Sequence, residues 1–153
     1  MLGLVSAGLP GLRPRDARQI SPLVLAYIGD TVYDLFVRTL LVESTDGTAH
    51  TMHLQAAKHV CAAAQAEALR RILPLLSEEE HAIFKRGRNA HMGTVPKHAQ
   101  IADYRASTGL EALFGYLYLS GADARLAELM RMALGCAADA GPLPLQDKGG
   151  PNA

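Results

Sequence analysis

The chain has 153 residues, of which 49% are hydrophobic and 20% are charged, and its 15 lysines and arginines equal its 15 aspartates and glutamates. The length predicts a single domain, and the composition provides a packed core and excludes wholesale disorder. Because the net charge is zero, any binding of an anion must depend on local clusters of charge.

The sequence contains no run of about 20 apolar residues, so we expect no transmembrane helix. Its apolar N-terminus precedes the first arginines, which is the wrong order for a signal peptide. Two cysteines, Cys61 and Cys136, are too few for a disulfide framework. They favour a reducing compartment, and we expect a cytoplasmic protein.

Composition divides the chain into three parts. Residues 1–20 are rich in glycine and proline and are expected to form a flexible arm. Residues 21–138 lack β-branched runs of alternating polarity, so we predict an all-α domain. The tail, 139–153, is again rich in glycine and proline and is expected to be disordered.

Caps and apolar spacing predict the helices in chain order. Ser21-Pro22 supplies an N-cap and a proline at the first helical position, and Ser77 with Glu80 forms a capping box. Gly121 is placed to end a helix. The predicted helices span 21–43, 50–73, 77–89, 97–103, 107–119 and 124–138.

The first predicted helix carries Gly29-Asp30 at its centre, with Asp34 one turn later. Its apolar residues lie nearly all round, which is typical of a helix buried in the middle of a fold. A glycine costs a helix about 1 kcal/mol relative to alanine, and a buried carboxylate costs more unless it is paired or binds a metal. Asp30 is therefore a candidate metal ligand, and a carboxylate that faces a solvent groove or pairs with an arginine is the alternative.

A second carboxylate, Glu111, lies in the apolar segment STGLEALFGYLYL. Two carboxylates from distant positions supply the oxygen ligands that Mg²⁺ and Mn²⁺ prefer, and Mg²⁺ often uses only one or two of them. Gly115, one turn later, indicates that another helix passes close by. Thr108-x-x-Glu111 also matches a capping box, so a helix-start role is the alternative for Glu111.

Segment 81–105 has a local net charge of +4, from five cations and one acid, which the zero net charge of the whole chain does not reveal. The forked guanidinium group of arginine fits phosphate oxygens, which makes KRGRN at 85–89 a candidate phosphate-binding segment. A solvated basic face is the alternative. The cations are Lys85, Arg86, Arg88, Lys97 and Arg105, and the acid is Asp103.

Four segments, taken together in their order and spacing, resemble mini-ribonuclease III, the small bacterial member of the ribonuclease III superfamily. They are LAYIGDTVYDLFVR, HLQAAKHVCAAAQAEAL, FKRGRNAHMGTVPKHA and YRASTGLEALFGYLYLSGADARL. The resemblance covers about residues 21–129 and depends on the collinear order of the four blocks rather than on one short motif.

The resemblance implies an all-helical endonuclease domain of the ribonuclease III type, without the separate double-stranded-RNA-binding domain of the full-length enzymes. It implies a homodimer that cleaves double-stranded RNA with Mg²⁺, for which Mn²⁺ is a candidate substitute, and that acts in maturation of the large-subunit (23S) ribosomal RNA precursor. By position, Asp30 matches the aspartate of the superfamily's GD motif and Glu111 the glutamate of its second acidic motif. Both are expected to be catalytic and to bind the metal.

The chemistry of this reaction gives expectations for the surrounding residues. Asp34, one turn from Asp30, is a candidate to hold a metal-bound water, with an acid that simply faces solvent as the alternative. Thr108 is a second candidate for a place just outside the two metal ligands. The residues expected to contact phosphates and sugar hydroxyls of RNA are Lys85, Arg86, Arg88, Asn89, Lys97 and Arg105.

This sequence also departs from the superfamily. Full-length ribonuclease III has further acids where this chain has Leu23 and Ala26, and an aspartate where it has Thr108. His91 stands in place of an expected lysine, which bears on RNA affinity, and Cys61 in place of a serine. Only the two acids named above therefore remain as expected metal ligands.

Two other classes of protein stay open at this point. The first is a catalytically inactive module of the same fold that binds RNA or a protein, although loss of the acidic pair would be its signature. The second is a zinc or metal-storage protein built on His50-x-x-His53, which no other cluster of ligands accompanies.

Overall fold

Helices make up all the regular structure in the part of the chain that the computed structural model describes, residues 1–9, 11–13, 15–90, 94, 97 and 100–136. This confirms the all-α prediction. Two short 3₁₀ turns lie at Ala17–Gln19 and Leu73–Leu75. The α-helices are α1 (Leu2–Gly8), α2 (Pro22–Ser44), α3 (Ala49–Val60), α4 (Ala62–Ile72), α5 (Glu78–Arg88), α6 (Ile101–Leu119) and α7 (Asp123–Ala133).

Helix α6 is the central element, and α2, α4 and α5 all pack on it. From Ser107 to Tyr118 every residue of α6 is buried except Glu111, which is half-buried. The ring of Phe114 stacks on Tyr33 of α2 with ring centroids 5.9 Å apart. A helix surrounded in this way places its one acid inside the domain.

Two glycines allow α2 and α6 to meet backbone to backbone. A Cβ atom added at Gly29 would lie 1.7 Å from the carbonyl oxygen of Glu111, and one added at Gly115 would lie 2.0 Å from that of Leu25. No side chain fits at either position, so the two helices approach more closely than packed side chains allow. The close approach predicted from Gly115 is present.

The prediction of one continuous helix over 50–73 is wrong. Helix α3 ends at Val60 and α4 begins at Ala62, while Cys61 between them is extended, with φ −68° and ψ 155°. The sequence shows no glycine or proline there, and its alanine-rich pattern continues across the break. The break lets α3 pack on α2 while α4 packs on α6 and α7, a tertiary requirement that local propensity does not show.

The prediction of separate helices over 97–103 and 107–119 is also wrong. A single helix, α6, begins at Ile101, because the intervening residues 104–107 continue the helical backbone. Thr108 therefore lies inside the helix, and its hydroxyl donates a hydrogen bond to the carbonyl oxygen of Tyr104 at 3.1 Å. This removes the capping role considered for Glu111.

Helix α2 is covered on one side only, so the expectation that it is buried all round is wrong for a single chain. Leu25, Val32, Val37 and Leu41 are buried against the other helices. We call the opposite side the open face of α2; its exposed apolar residues are Leu23, Val24, Tyr27, Leu35 and Val42.

The packed core begins before the predicted domain boundary at residue 21, because Ala17 and Ile20 are buried in it. The last predicted helix is observed as α7, which ends at Ala133, and residues 137–153 lie outside the described part, as does His91. The predicted stop at Gly121 is present, with a positive φ of 69°. Within the described residues, no helix has the length and apolar character that crossing a membrane requires.

A buried acid braces the start of α5. Glu80 accepts a hydrogen bond from the Ser77 backbone, which completes the predicted capping box. Its two carboxylate oxygens also accept hydrogen bonds from Nε and Nη2 of Arg125 on α7, at 2.8 and 2.9 Å. Arg125 in addition donates to the carbonyl oxygen of Leu75 at 2.7 Å. These contacts, which we call the Glu80–Arg125 brace, hold α5, α7 and the preceding 3₁₀ turn together.

The glycine contact gives a prediction about stability. Gly29→Ala should lower the free energy of unfolding by about 3 kcal/mol, because the added methyl group forces α2 away from α6. Gly47→Ala is the matched control, since its Cβ would meet no atom closer than 3.6 Å. Thermal melts of the two variants measure the difference, and equal melting temperatures would mean that α2 and α6 do not depend on this approach.

Candidate active site

Asp30 and Glu111 meet where α2 crosses α6. The missing side chain of Gly29 lets α2 rest on the backbone of Glu111 itself, and Asp30 is the next residue of α2. The carboxyl groups of Asp30 and Glu111 lie close enough for the negative charge of Asp30 to raise the pKa of Glu111. The structure thus brings together the two acids that the sequence singled out, with Asp30 exposed and Glu111 half-buried.

The environment of Glu111 disfavours its negative charge. Burial, and to a smaller extent the negative charge of Asp30, raise the pKa of Glu111 to about 7. The Gln65 side chain acts in the opposite direction on the pKa of Glu111, as an N–H donor to the carboxylate does. Without a cation, the pair therefore carries an electrostatic cost at neutral pH.

Gln65 is a residue of this site that the sequence reasoning missed. It lies on α4, where its side chain is only 1% exposed. It faces the Glu111 carboxyl group, yet its Nε2 atom completes no regular hydrogen bond with any group in the described part of the chain. The available signal was one polar side chain in the alanine-rich segment AAAQAEAL.

The pair of acids is the candidate metal site. No group of three or more histidine, cysteine, aspartate or glutamate side chains that could hold a metal occurs among the described residues. His50 and His53 are both exposed near the start of α3, so the zinc alternative gains no further ligand there. Two carboxylates alone are a ligand set that Mg²⁺ accepts, because it keeps several of its own waters.

The two residues expected just outside the ligands have contacts of their own. Asp34 is partly exposed, and its carboxylate accepts a hydrogen bond from Nε of Arg38 at 2.6 Å. Thr108 is buried one turn before Glu111 and bonds to its own helix. The structure places Asp34 in an ion pair along α2.

The basic residues of α5 gather in its last turn. Gly87 brings this turn against α6, since a Cβ there would lie 2.7 Å from Cβ of Ala112 and 2.9 Å from Cα of Gly109. Those two residues stand on either side of Glu111 in the chain. The last turn of α5 therefore packs beside the stretch of α6 that carries the acid.

The three cations of that turn have different surroundings. Lys85 is exposed. Arg86 donates hydrogen bonds to the carbonyl oxygens of Arg18 and Ile20, at 3.0 and 3.3 Å, and so ties α5 to the segment before α2. This contact joins segments that are distant in the chain, so no local pattern predicts it.

Arg88 lies over the Phe84 ring, 5.5 Å from its centroid, and its Nε donates a hydrogen bond to Oδ1 of Asn89 at 3.2 Å. Lys97 and Arg105 are both exposed. Arg105 lies in α6, nearly two turns before Glu111. The predicted RNA-contacting residues are thus on the surface or near it, with Arg86 and Arg88 held in place by neighbours.

This chain is similar to known proteins over most of its length. The sequence profile of the Ribonuclease III domain matches residues 23–122. Mini-ribonuclease 3 of Thermoanaerobacter sp. (strain X514) is 47% identical over 115 residues, which cover 75% of this chain and 81% of the relative. Mini-ribonuclease 3 of Clostridium tetani is 45% identical over 121 residues, 78% of this chain and 80% of the relative.

A solved structure has a similar fold. The crystal structure of a protein from Fusobacterium nucleatum superposes with a TM-score of 0.72 at 26% identity, covering 79% of this chain and 97% of that one. The matched profile includes both acids and the basic turn of α5. The chain therefore belongs to the ribonuclease III family, with the mini-ribonucleases 3 as its relatives, and is an endoribonuclease.

Proposed function

We propose that this chain is a metal-dependent endoribonuclease that cleaves double-stranded RNA as a homodimer, in the cytoplasm, during maturation of the 23S ribosomal RNA precursor. The observation that carries the proposal is the contact between Asp30 and Glu111 at the crossing of α2 and α6. An inactive module of the same fold would have no need to hold two acids together at an electrostatic cost. That alternative predicts a protein that binds duplex RNA without cutting it.

The two acids fit a divalent cation by their chemistry. Their mutual repulsion, which contributes to the raised pKa of Glu111, is relieved by a positive charge between them. Mg²⁺ is the cation proposed, with Mn²⁺ as a substitute, because both prefer oxygen ligands. When bound, such a cation activates a water molecule and offsets negative charge at the scissile phosphate.

The chain's own residues have distinct parts in this proposal. Glu111 anchors the cation from the buried side of the site, and Asp30 holds it at the exposed side, where a phosphate can arrive. No separate general base is needed. Lys85, Arg88 and Asn89, on the turn packed beside α6, contact the RNA backbone, and Lys97 and Arg105 extend the basic surface. This agrees with recognition of duplex RNA by its shape, phosphates and 2′-hydroxyls.

The open face of α2 supports the homodimer. Tyr27 on this face is 80% exposed, and it lies one turn before Asp30. Five exposed apolar side chains on one helix are the kind of surface that a protein–protein contact covers. A second copy that covers it would place two sites on one duplex, one for each strand.

Asp30→Asn should reduce cleavage of a long RNA duplex in Mg²⁺ to below about one hundredth of the parent rate. Loss of a hydrogen-bond partner of a metal ligand already costs about 10–100-fold in metal affinity or activity, and loss of a ligand should cost more. The amide keeps the shape of the side chain and removes the charge that holds the cation, so RNA binding and the melting temperature in EDTA should not fall. Asp46→Asn, at an exposed acid between α2 and α3, is the control. Near-parent cleavage by Asp30→Asn would exclude the assignment.

Glu111→Gln should stabilise the protein in EDTA at pH 8, by about 1–3 kcal/mol. The folded-state pKa of Glu111 is about 7 against an ordinary value of 4.5, so the parent loses stability as the pH rises from 4.5 through 7 and the loss is complete above that. The gain should therefore vanish at pH 4. Thermal melts at both pH values measure it, and a variant that melts earlier at pH 8 would make Glu111 a structural acid.

Lys85→Ala and Arg86→Ala should separate binding from folding. Lys85→Ala should weaken binding to duplex RNA and flatten its salt dependence, because a protein with one phosphate contact fewer releases fewer counterions from the RNA when it binds. Its melting temperature should be unchanged. Arg86→Ala should lower the free energy of unfolding by about 1–3 kcal/mol, because two backbone carbonyl groups lose a charged donor. Salt titrations of RNA binding and thermal melts test both, and unchanged binding by Lys85→Ala would make the basic turn a solvated surface.

The protein should have the mass of a dimer in light scattering at micromolar concentration, and Tyr27→Glu should shift it to a monomer. The matched control is Leu4→Glu, since Leu4 on α1 is also 80% exposed but is not a residue of the open face of α2. A parent protein with a monomer mass, or a Tyr27→Glu variant that stays dimeric, would count against the open face of α2 as the interface.

A further inference from the structure

The side chain of Glu111 is acted on from two helices, one of which raises its pKa while the other lowers it. Asp30 on α2 presents a carboxylate to it, and Gln65 on α4 presents an amide. Both helices pack directly on α6, which carries Glu111. Gln65 is therefore the one uncharged polar side chain that acts on this carboxyl group among the described residues.

The position of Gln65 is unfavourable if the residue only fills space. Its side chain is fully buried, and an amide N–H without a regular partner in such a place destabilises a fold. The nearby residues of α4, Ala62–Ala64 and Ala66, are apolar and small. A methionine of similar length would fill the same space without an unsatisfied N–H group. The amide therefore indicates a ligand or partner that completes its hydrogen bonding.

We propose that Gln65 is a positioning residue, whose unpartnered amide N–H completes its hydrogen bonding on one oxygen of the Glu111 carboxylate when Glu111 takes up the cation. The proposal rests on the proposed function, because the cation belongs to it. A glutamate side chain has three rotatable bonds, and an amide beside its carboxylate limits the orientations that these bonds adopt when the cation binds. A hydrogen bond from an amide to an ionised carboxylate is also stronger than one between neutral groups.

The test compares Gln65→Met with a matched control, Gln55→Met. Both changes replace a glutamine with an unsatisfied buried amide atom by an apolar side chain of similar length. Gln55 lies on α3, whose main contact is with α2 rather than with α6. Four quantities are measured: the Kd for Mn²⁺ without RNA by electron paramagnetic resonance, the Mg²⁺ concentration for half-maximal cleavage, RNA affinity in EDTA, and the melting temperature in EDTA.

We expect Gln65→Met to raise the Mn²⁺ Kd and the half-maximal Mg²⁺ concentration by about 10-fold or more, as loss of a partner of a metal ligand does. Excess Mg²⁺ should restore most of the cleavage rate. RNA affinity should stay within about 2-fold of the parent, because no phosphate contact is lost, and the melting temperature should not fall. Gln55→Met should leave the Mn²⁺ Kd unchanged.

An unchanged Mn²⁺ Kd in Gln65→Met would overturn the proposal and leave Gln65 as a core residue. If Gln65→Met does not fold, Gln65→Leu replaces it with the same expected shift in Mn²⁺ Kd. A parent protein that binds Mn²⁺ but does not cut duplex RNA would refute the proposed function, and the Mn²⁺ Kd values would still decide the role of Gln65. A parent that cuts RNA with the same Mg²⁺ requirement as Gln65→Met would refute only the role of Gln65.

Discussion

The contact between the backbones of α2 and α6 is the constraint on which the rest of the structure depends. Gly29 allows α2 to lie on the carbonyl group of Glu111, and Gly115 allows the reciprocal approach to Leu25. Because no side chain separates the helices there, the distance between Asp30 and Glu111 is set by backbone geometry. Two acids that repel each other are thereby kept adjacent by the packing of the whole domain.

Other close approaches extend this arrangement around α6. Gly87 and Gly109 bring the last turn of α5 against the same helix, so the basic turn packs beside the residues that flank Glu111. The break at Cys61 turns α4 toward α6, and this brings Gln65 to the third side of the acid. The basic turn of α5, Asp30 of α2 and Gln65 of α4 thus all lie beside the stretch of α6 that carries Glu111, although they come from three separate parts of the chain.

Much of this organisation could be predicted from the sequence, where local chemistry decides the structure. The start of α2, the capping box of α5 and the stop at Gly121 follow from residues that act within one turn. The two acids were found because a glycine and a carboxylate are unusual inside apolar helices. Their actual contact is a new observation, since spacing gives no distances between helices.

The missed features all depend on tertiary packing. The break at Cys61 lies in a sequence that is equally helical on both sides, and Ser107 and Thr108 suggested a new helix start inside what is the single helix α6. The bonds of Arg86 to the carbonyl groups of Arg18 and Ile20 join segments far apart in the chain. Gln65 lies in an alanine-rich segment, and only the packing of α4 on α6 shows what it faces.

Low pH weakens the Glu80–Arg125 brace, whereas it relieves the repulsion between the two acids of the site. The hydrogen bonds from Arg125 lower the pKa of Glu80, so the stability that this pair contributes is present above the ordinary pKa of a glutamate and is lost as the pH falls through the lowered value. Protonation of Glu111 removes the repulsion between its carboxylate and that of Asp30, so this repulsion destabilises the protein only at higher pH. Falling pH should therefore loosen the attachment of the start of α5 to α7, while it strengthens the crossing of α2 and α6.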